Sequence, residues 1–110
     1  MSYLLQYARR SATGARVDER LTLNHPEFDG GASVRVYVEN TSARRCRPRP
    51  PSPCLKLRIS DCSNRIELEF GVESAELRDN SLHKIDTLLG ALARFRDGLA
   101  AEIDLYELRL

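Results

Sequence analysis

The sequence predicts an α+β fold in which an antiparallel sheet of four to five strands packs against one long C-terminal helix. The chain has 110 residues, of which 42% are hydrophobic and 30% charged, as in an ordinary globular protein of one domain. Segments between residues 20 and 70 alternate apolar with polar residues, as half-buried strands do. From Leu82 onward, apolar residues recur every three or four positions, as in an amphipathic helix. We therefore predict a single domain over residues 1–110.

The first strands are predicted from alternation and turn signals. Tyr3–Ala8 is interpreted as an edge strand or a short helix. Arg20–Asn24 is predicted to be a strand because residues typical of turns follow it, beginning with His25 and Pro26. Ser33–Glu39 has the clearest pattern, since three valines alternate with polar residues.

Two further strands are predicted to form a hairpin. Apolar residues alternate with basic ones over residues 55–59 and with acidic ones over residues 66–70. Residues 61–64, between them, are typical turn formers. Antiparallel pairing brings four charged side chains together: Lys56, Arg58, Glu67 and Glu69. Each such pair contributes about 0.2–1 kcal/mol, which favours one register.

The C-terminal pattern predicts one helix from about residue 81 to 110. Its apolar stripe is interrupted only at Arg96 and otherwise consists of Leu82, Ile85, Leu89, Leu92, Leu99, Ile103, Tyr106 and Leu110. Leu88 and Phe95 widen the stripe, which is more typical of a helix lying on a sheet than of a narrow two-helix seam.

Both ends of this helix allow alternatives. Three residues are suitable N-caps: Asn80, Ser81 and Ser74. Gly90 and Gly98 each cost about 1 kcal/mol inside a helix, so either is a candidate break. The alternative to one continuous helix is a helix ending near Gly98 followed by an edge strand over 102–110.

The predicted helix is longer than the predicted sheet. Residues 82–110 would span roughly 43 Å as a helix, whereas a seven-residue strand covers only ~23 Å. The last turns would therefore project beyond the sheet and need a cover. The expected partner-binding residues are Leu99, Ile103, Tyr106 and Leu110.

A basic, proline-rich segment over residues 41–53 is predicted to be an exposed loop without regular structure, because proline removes backbone donors and favours extended geometry. The loop carries no acidic residue, and guanidinium groups bind phosphate well. The alternative function is therefore nucleic-acid binding through Arg44, Arg45, Arg47, Arg49 and Arg58.

The three cysteines do not have the spacing of a metal site. Cys46, Cys54 and Cys62 are separated by seven residues each, unlike a C-x-x-C knuckle. An extended strand between Cys54 and Cys62 places them about 26 Å apart, too far to share one metal ion. We expect no metal and no cofactor. Cys46 and Cys54 are still able to close the loop under oxidation.

A catalytic site is not expected either. Ser81, His83 and Asp86 are the only local set of nucleophile, base and orienting group. Ser81 is more readily a helix cap, and His83 falls on the polar side of the helix beside Lys84. The chain has no glycine-rich phosphate loop, no G-x-S-x-G sequence and no H-E-x-x-H pair. The sequence therefore predicts a protein that is not an enzyme.

Localisation and charge add two expectations. No apolar run reaches the ~20 residues of a membrane helix and the N-terminus lacks the order of a signal peptide, which predicts a cytoplasmic protein that does not enter a membrane. Residues 1–60 carry 11 basic and 5 acidic groups, whereas residues 61–110 carry 6 and 11. Such opposite halves attract each other within one chain or between copies.

Two stretches, Ile59–Cys62 and Asn80–Arg96, resemble small accessory proteins of actinobacterial phages. The resemblance implies a phage protein in the cytoplasm of its host that binds a host factor or assembles with itself. Together with the projecting helix, this gives the expected function: a non-enzymatic interaction or accessory protein that forms a homodimer or binds a host protein through its C-terminal helix.

Overall fold

The structure, a computed structural model, describes residues 14–28, 31–43 and 52–109. It contains one antiparallel sheet followed by one long helix, which confirms the predicted α+β fold. The strands lie in chain order across the sheet, and the elements are β1 (Ala15–Thr22), β2 (Ser33–Glu39), β3 (Leu55–Asp61), β4 (Asn64–Leu68) and α1 (Ala75–Arg109). The segment Tyr3–Ala8 lies outside the described residues.

The chain divides into two compact units, with the boundary between Phe70 and Gly71. The sheet belongs to the first unit and α1 to the second. Packing of the helix against the sheet, and a single domain over residues 1–110, stay predictions.

The first strand, β1, begins five residues earlier than the predicted strand at Arg20 and ends at Thr22 rather than Asn24. Its length follows from its partner, because β1 pairs with the whole of β2, from Thr22 opposite Ser33 to Ala15 opposite Glu39. An irregularity between Ala15 and Val17 leaves one extra residue in β1, as in a β-bulge. Tertiary pairing therefore extended a strand whose own pattern was weak.

The predicted hairpin is confirmed in β3 and β4. Arg58 lies directly opposite Glu67, and its Nη2 and Nε atoms are each 3.1 Å from Glu67 Oε1. Both side chains are about a third to a half exposed (31% and 45%), so water screens the pair and limits its contribution. The last paired residue of β4 is Leu68, which leaves Phe70 outside the strand.

The turn of this hairpin contains a strained residue. Asp61 pairs with Asn64, so Cys62 and Ser63 form the turn, and Cys62 has a φ of 55°. A positive φ at the first turn residue favours glycine there. We predict that Cys62→Gly raises the free energy of unfolding by up to about 1 kcal/mol, measured by denaturant titration followed by circular dichroism.

Ser63→Gly is the matched control for this prediction. Within the described part of the chain, Cys62 is the only non-glycine residue with positive φ, so a glycine at Ser63 relieves no strain. We expect Ser63→Gly to lower stability by about 0.5 kcal/mol through added freedom of the unfolded chain. Equal effects of the two substitutions would contradict the strain at Cys62.

The helix α1 is continuous from Ala75 to Arg109 and passes through both Gly90 and Gly98. The alternative of a C-terminal edge strand is therefore wrong. The helix also begins earlier than residue 81, because the Leu77 amide donates to Ser74 Oγ at 3.1 Å and Ser74 is the N-cap.

Two side chains tie the preceding segment to the first turns of α1. Ser81 lies inside the helix, where its hydroxyl donates to the Gly71 carbonyl at 2.7 Å. Arg78 Nη1 donates to the Val72 carbonyl at 3.0 Å. Ser81, one of the expected caps, is therefore an interior position of the helix, and its side chain holds the preceding segment instead.

Two hydrogen bonds between Glu39 and Cys54 join the two ends of the basic segment. The Glu39 amide donates to the Cys54 carbonyl at 3.0 Å, and the Cys54 amide donates to Glu39 Oε1 at 2.8 Å. Thr41–Ala43 forms a short 3-10 turn, so the expectation of no regular structure is wrong for the first three residues of the segment.

The register gives the sheet two different faces. One face is mainly apolar, with Glu19, Asp61 and Asn64 as its polar residues, and it carries Val17, Leu21, Val34, Val36, Val38, Leu55, Leu57, Ile59, Ile66 and Leu68. The other face, called the polar face below, is rich in charge and carries Asp18, Arg20, Thr22, Ser33, Arg35, Tyr37, Glu39, Lys56, Arg58, Ser60, Arg65 and Glu67.

Burial is slight throughout the described residues. Ala15 and Ala32 are their buried hydrophobic residues, at 5% and 7% exposure, and none of their large side chains is fully buried. Most apolar surface in a stable protein is removed from water. The apolar face of the sheet and the apolar stripe of α1 therefore each need to be covered.

Candidate functional site

The apolar stripe of α1 has the spacing of a two-helix seam. From Leu82 to Tyr106 its members alternate three and four positions apart, which is the a/d pattern of a heptad repeat. In this pattern Leu82, Leu89, Arg96 and Ile103 occupy a positions, and Ile85, Leu92, Leu99 and Tyr106 occupy d positions. We call these eight residues the seam.

Large apolar side chains of the seam are exposed. Leu99, Ile103 and Tyr106, three of the four residues expected to bind a partner, are 48%, 47% and 63% exposed. Leu82 and Leu89 are 66% and 60% exposed, so the exposure extends toward the start of the helix. Leu110, the fourth expected residue, lies outside the described residues.

The seam has a bulky flank on one side and a small one on the other. Phe95, at a g position, is 69% exposed, and Leu88 precedes it by one heptad. Ala93 and Ala100 occupy the opposite e positions. Small e residues allow a second helix to approach closely, and the bulky g residues widen the area it covers.

Two leucines lie away from the seam. Leu105 and Leu108 are 44% and 83% exposed. Leu108 lies roughly 140° around the helix from Ile103, so one partner helix cannot cover both. Leu108 is therefore a useful reference for substitutions in the seam.

Charge is unevenly distributed along α1. The last turns, from residue 97, carry four acidic residues and only Arg109 as a base. The segment 84–96 carries three basic residues and only Asp86 as an acid. Arg96, the single charged residue of the seam, has Asp97 as an ion-pair partner at 3.8 Å, with both side chains about four-fifths exposed. A pair so exposed adds little to stability.

The resemblance to phage accessory proteins rests on the end of β3 with its turn and on the first part of α1. No family model, curated protein or solved structure matches this chain. The resemblance therefore stays a prediction.

The arginines expected to contact phosphate are only partly described. Arg58 lies on β3, is paired with Glu67 and belongs to the polar face of the sheet. The other four, Arg44, Arg45, Arg47 and Arg49, lie outside the described residues. Two further arginines of the same face, Arg20 and Arg35, were missed because alternation shows that a side chain points outward but not which charges meet across strands.

The residues weighed for catalysis do not come together as a triad. Ser81 and His83 point roughly 160° apart around α1, and the Ser81 hydroxyl donates to the Gly71 carbonyl. His83 and Asp86 line one shallow depression of the helix surface to which Ser81 does not contribute. His83 Nε2 lies instead 3.4 Å from Thr87 Oγ1.

Residues of the types that bind metal ions are dispersed in the part of the chain that the structure describes. It contains no group of three His, Cys, Asp or Glu side chains placed to hold a metal ion. Cys54 and Cys62 are free, exposed thiols near opposite ends of β3. Cys46 lies outside the described residues, so closure of the loop by Cys46 and Cys54 stays a prediction.

Within residues 14–28, 31–43 and 52–109, no helix combines the length and the apolar character needed to cross a bilayer.

Proposed function

We propose that this chain is a non-enzymatic interaction protein that forms a homodimer through the seam of α1. The observation that carries the proposal is a continuous 35-residue helix whose heptad positions hold exposed large apolar side chains. Apolar surface of this kind gains about 25 cal/mol for each Å² removed from water, and a second heptad seam removes it efficiently.

A second copy fits this surface because the seam complements itself when two helices run antiparallel. The acidic last turns of one copy then lie along the basic segment 84–96 of the other. In this arrangement Arg96 has acidic residues of the other copy near it. The dipoles of the two helices also point in opposite directions, so that the positive end of each lies beside the negative end of the other.

A parallel, in-register pair has the opposite electrostatics. It places Glu102, at a g position, beside Glu107, at an e position, of the other copy, and it takes the acidic last turns of each helix away from the basic segment 84–96 of the other. Like charges at such positions disfavour pairing. The charge pattern therefore supports the antiparallel dimer.

Cross-linking of two cysteine variants tests both the dimer and its orientation. In a background with Cys46, Cys54 and Cys62 replaced by serine, Leu99→Cys is near the centre of an antiparallel overlap and is expected to give a cross-linked dimer with a short bifunctional maleimide. Ile85→Cys is expected to give none, because the two copies of residue 85 would lie more than about 30 Å apart.

The outcomes separate the possible answers. A dimer from both variants would show a parallel pair and overturn the antiparallel arrangement. No dimer from either variant, with a single-chain mass in sedimentation equilibrium, would overturn self-association and leave a host protein as the alternative partner. The host-cell cytoplasm, as the site of action, follows from the phage resemblance and belongs to the same proposal.

A further inference from the structure

The polar face of the sheet carries a row of arginines that no part of the dimer proposal uses. Arg20 on β1 lies directly opposite Arg35 on β2, which lies directly opposite Arg58 on β3. Directly opposed side chains have Cβ atoms about 4.5–5.5 Å apart, and like charges so placed repel each other. Three arginine residues therefore lie side by side across three strands.

Acidic residues compensate only part of this charge. Asp18 Oδ1 lies 3.3 Å from Arg35 Nη2, and Glu67 Oε1 lies 3.1 Å from Arg58 Nη2. The third carboxylate of the face, on Glu39, accepts the Cys54 amide. Within the described residues, the remaining cations of the face have no ion pair: Arg20, Lys56 and Arg65.

Arg35 has an unused donor at the middle of the row. Its Nε atom is buried and has no hydrogen-bond partner in the described part of the chain. A buried donor without a partner costs free energy, and the planar guanidinium group is well suited to bind phosphate oxygens. At the centre of the row, therefore, the Nε donor of Arg35 lacks an acceptor, although Nη2 of the same group is paired with Asp18.

An aromatic ring lies next to the row. Tyr37 on β2 is partly exposed and is directly opposite Asp18 on one side and Lys56 on the other. Basic side chains combined with a partly exposed aromatic ring are typical of surfaces that hold single strands, in which the bases stack on the ring and the phosphates meet the cations.

We propose that the polar face binds single-stranded nucleic acid, with Arg20, Arg35, Lys56 and Arg65 on the phosphates and Tyr37 under a base. Duplex DNA fits this surface poorly. Four strands about 4.8 Å apart span ~14 Å between the outer strands, more than the ~12 Å width of the major groove. A flat face also suits unstacked bases, which a duplex does not offer.

Fluorescence anisotropy with a labelled oligothymidylate of roughly 12 nucleotides tests this site at about 50 mM salt. The main variant replaces the three cations without an ion pair by glutamine, Arg20→Gln, Lys56→Gln and Arg65→Gln, so that no carboxylate loses a partner. We expect affinity to fall at least about tenfold and the slope of log K against log salt to decrease by about 2.

Matched variants make the result specific. Removing three cations from α1 instead, by Lys84→Gln, Arg94→Gln and Arg109→Gln, changes net charge equally and is expected to alter affinity less than about twofold. Tyr37→Ala is expected to weaken binding about tenfold, whereas Tyr37→Phe keeps the ring and the affinity. Circular dichroism of each variant checks that the fold is retained.

Four results would overturn the proposal. The first is an absence of binding by the unmodified chain, and the second is an equal loss of affinity in the α1 variant. The third is competition by poly-glutamate that is as strong as competition by unlabelled oligothymidylate, and the fourth is a loss of affinity only when the four loop arginines become alanine. The third result would show an acidic peptide as the ligand, and the fourth would place the phosphate contacts on the loop.

Discussion

Ile103→Glu is expected to convert the dimer into monomers. Ile103 occupies an a position of the seam and is half exposed in the single chain, so dimerisation buries it once in each copy. Because about half of Ile103 is already covered in the single chain, the substitution removes about 0.7–1.5 kcal/mol of apolar burial from each side, and it also sets two carboxylates in the interface. Because 1.4 kcal/mol is a factor of ten, the dimer Kd should rise at least about 100-fold. Sedimentation equilibrium over a concentration series measures this change.

Leu108→Glu is the matched control for this substitution. It places the same charge on the same helix, but Leu108 is 83% exposed and lies away from the seam. Its Kd should therefore stay within about threefold of that of the unmodified chain. A similar loss with both substitutions would mean that glutamate acts on the helix itself, and an unchanged Kd with Ile103→Glu would exclude the seam as the interface.

Arg96→Leu is expected to tighten the dimer and to make its orientation less specific. A polar residue at an a position restricts the register and orientation of paired helices at a cost in stability. Leucine adds apolar burial in both copies, so Kd should fall at least about tenfold. The same change removes the attraction between Arg96 and the acidic residues of the other copy, which favours the antiparallel pair. Cross-linking through Ile85→Cys, absent from the antiparallel dimer, should therefore appear.

Arg94→Leu controls for the loss of a positive charge and the addition of a leucine to the helix. Arg94 lies two positions before Arg96 and points roughly 160° away from it, outside the seam. It should leave Kd and the cross-linking pattern unchanged. If Arg96→Leu weakened the dimer instead, Arg96 would contribute more through an acidic partner in the other copy than it costs in the seam.

Local periodicity was sufficient to predict most of the sheet. The alternation of apolar and polar residues predicted β2, β3 and β4. The opposite charges on the two strands of the hairpin predicted the contact between Arg58 and Glu67. These features depend on residues near one another in the chain, so their pattern is visible in the sequence. The limits of β1 were not predicted, because they follow from pairing with β2, which is distant in the chain.

The seam was predicted in composition but not in extent. The sequence identified Leu99, Ile103 and Tyr106 and left open whether Gly98 ends the helix. Each glycine costs only about 1 kcal/mol, and the neighbouring alanine, leucine and arginine residues favour helix strongly enough that α1 continues. The start of α1 was also open, since Ser74 and Ser81 are equally good caps by type.

The sequence alone determined which residues face together along each strand and along the helix, because the periods of two and 3.6 residues are properties of the local backbone. Only the tertiary structure decided which strands lie side by side and in which register. That register aligns Arg20, Arg35 and Arg58 in one row, although they are 15 and 23 residues apart in the chain. Contacts over such separations depend on strand pairing, which local periodicity does not encode.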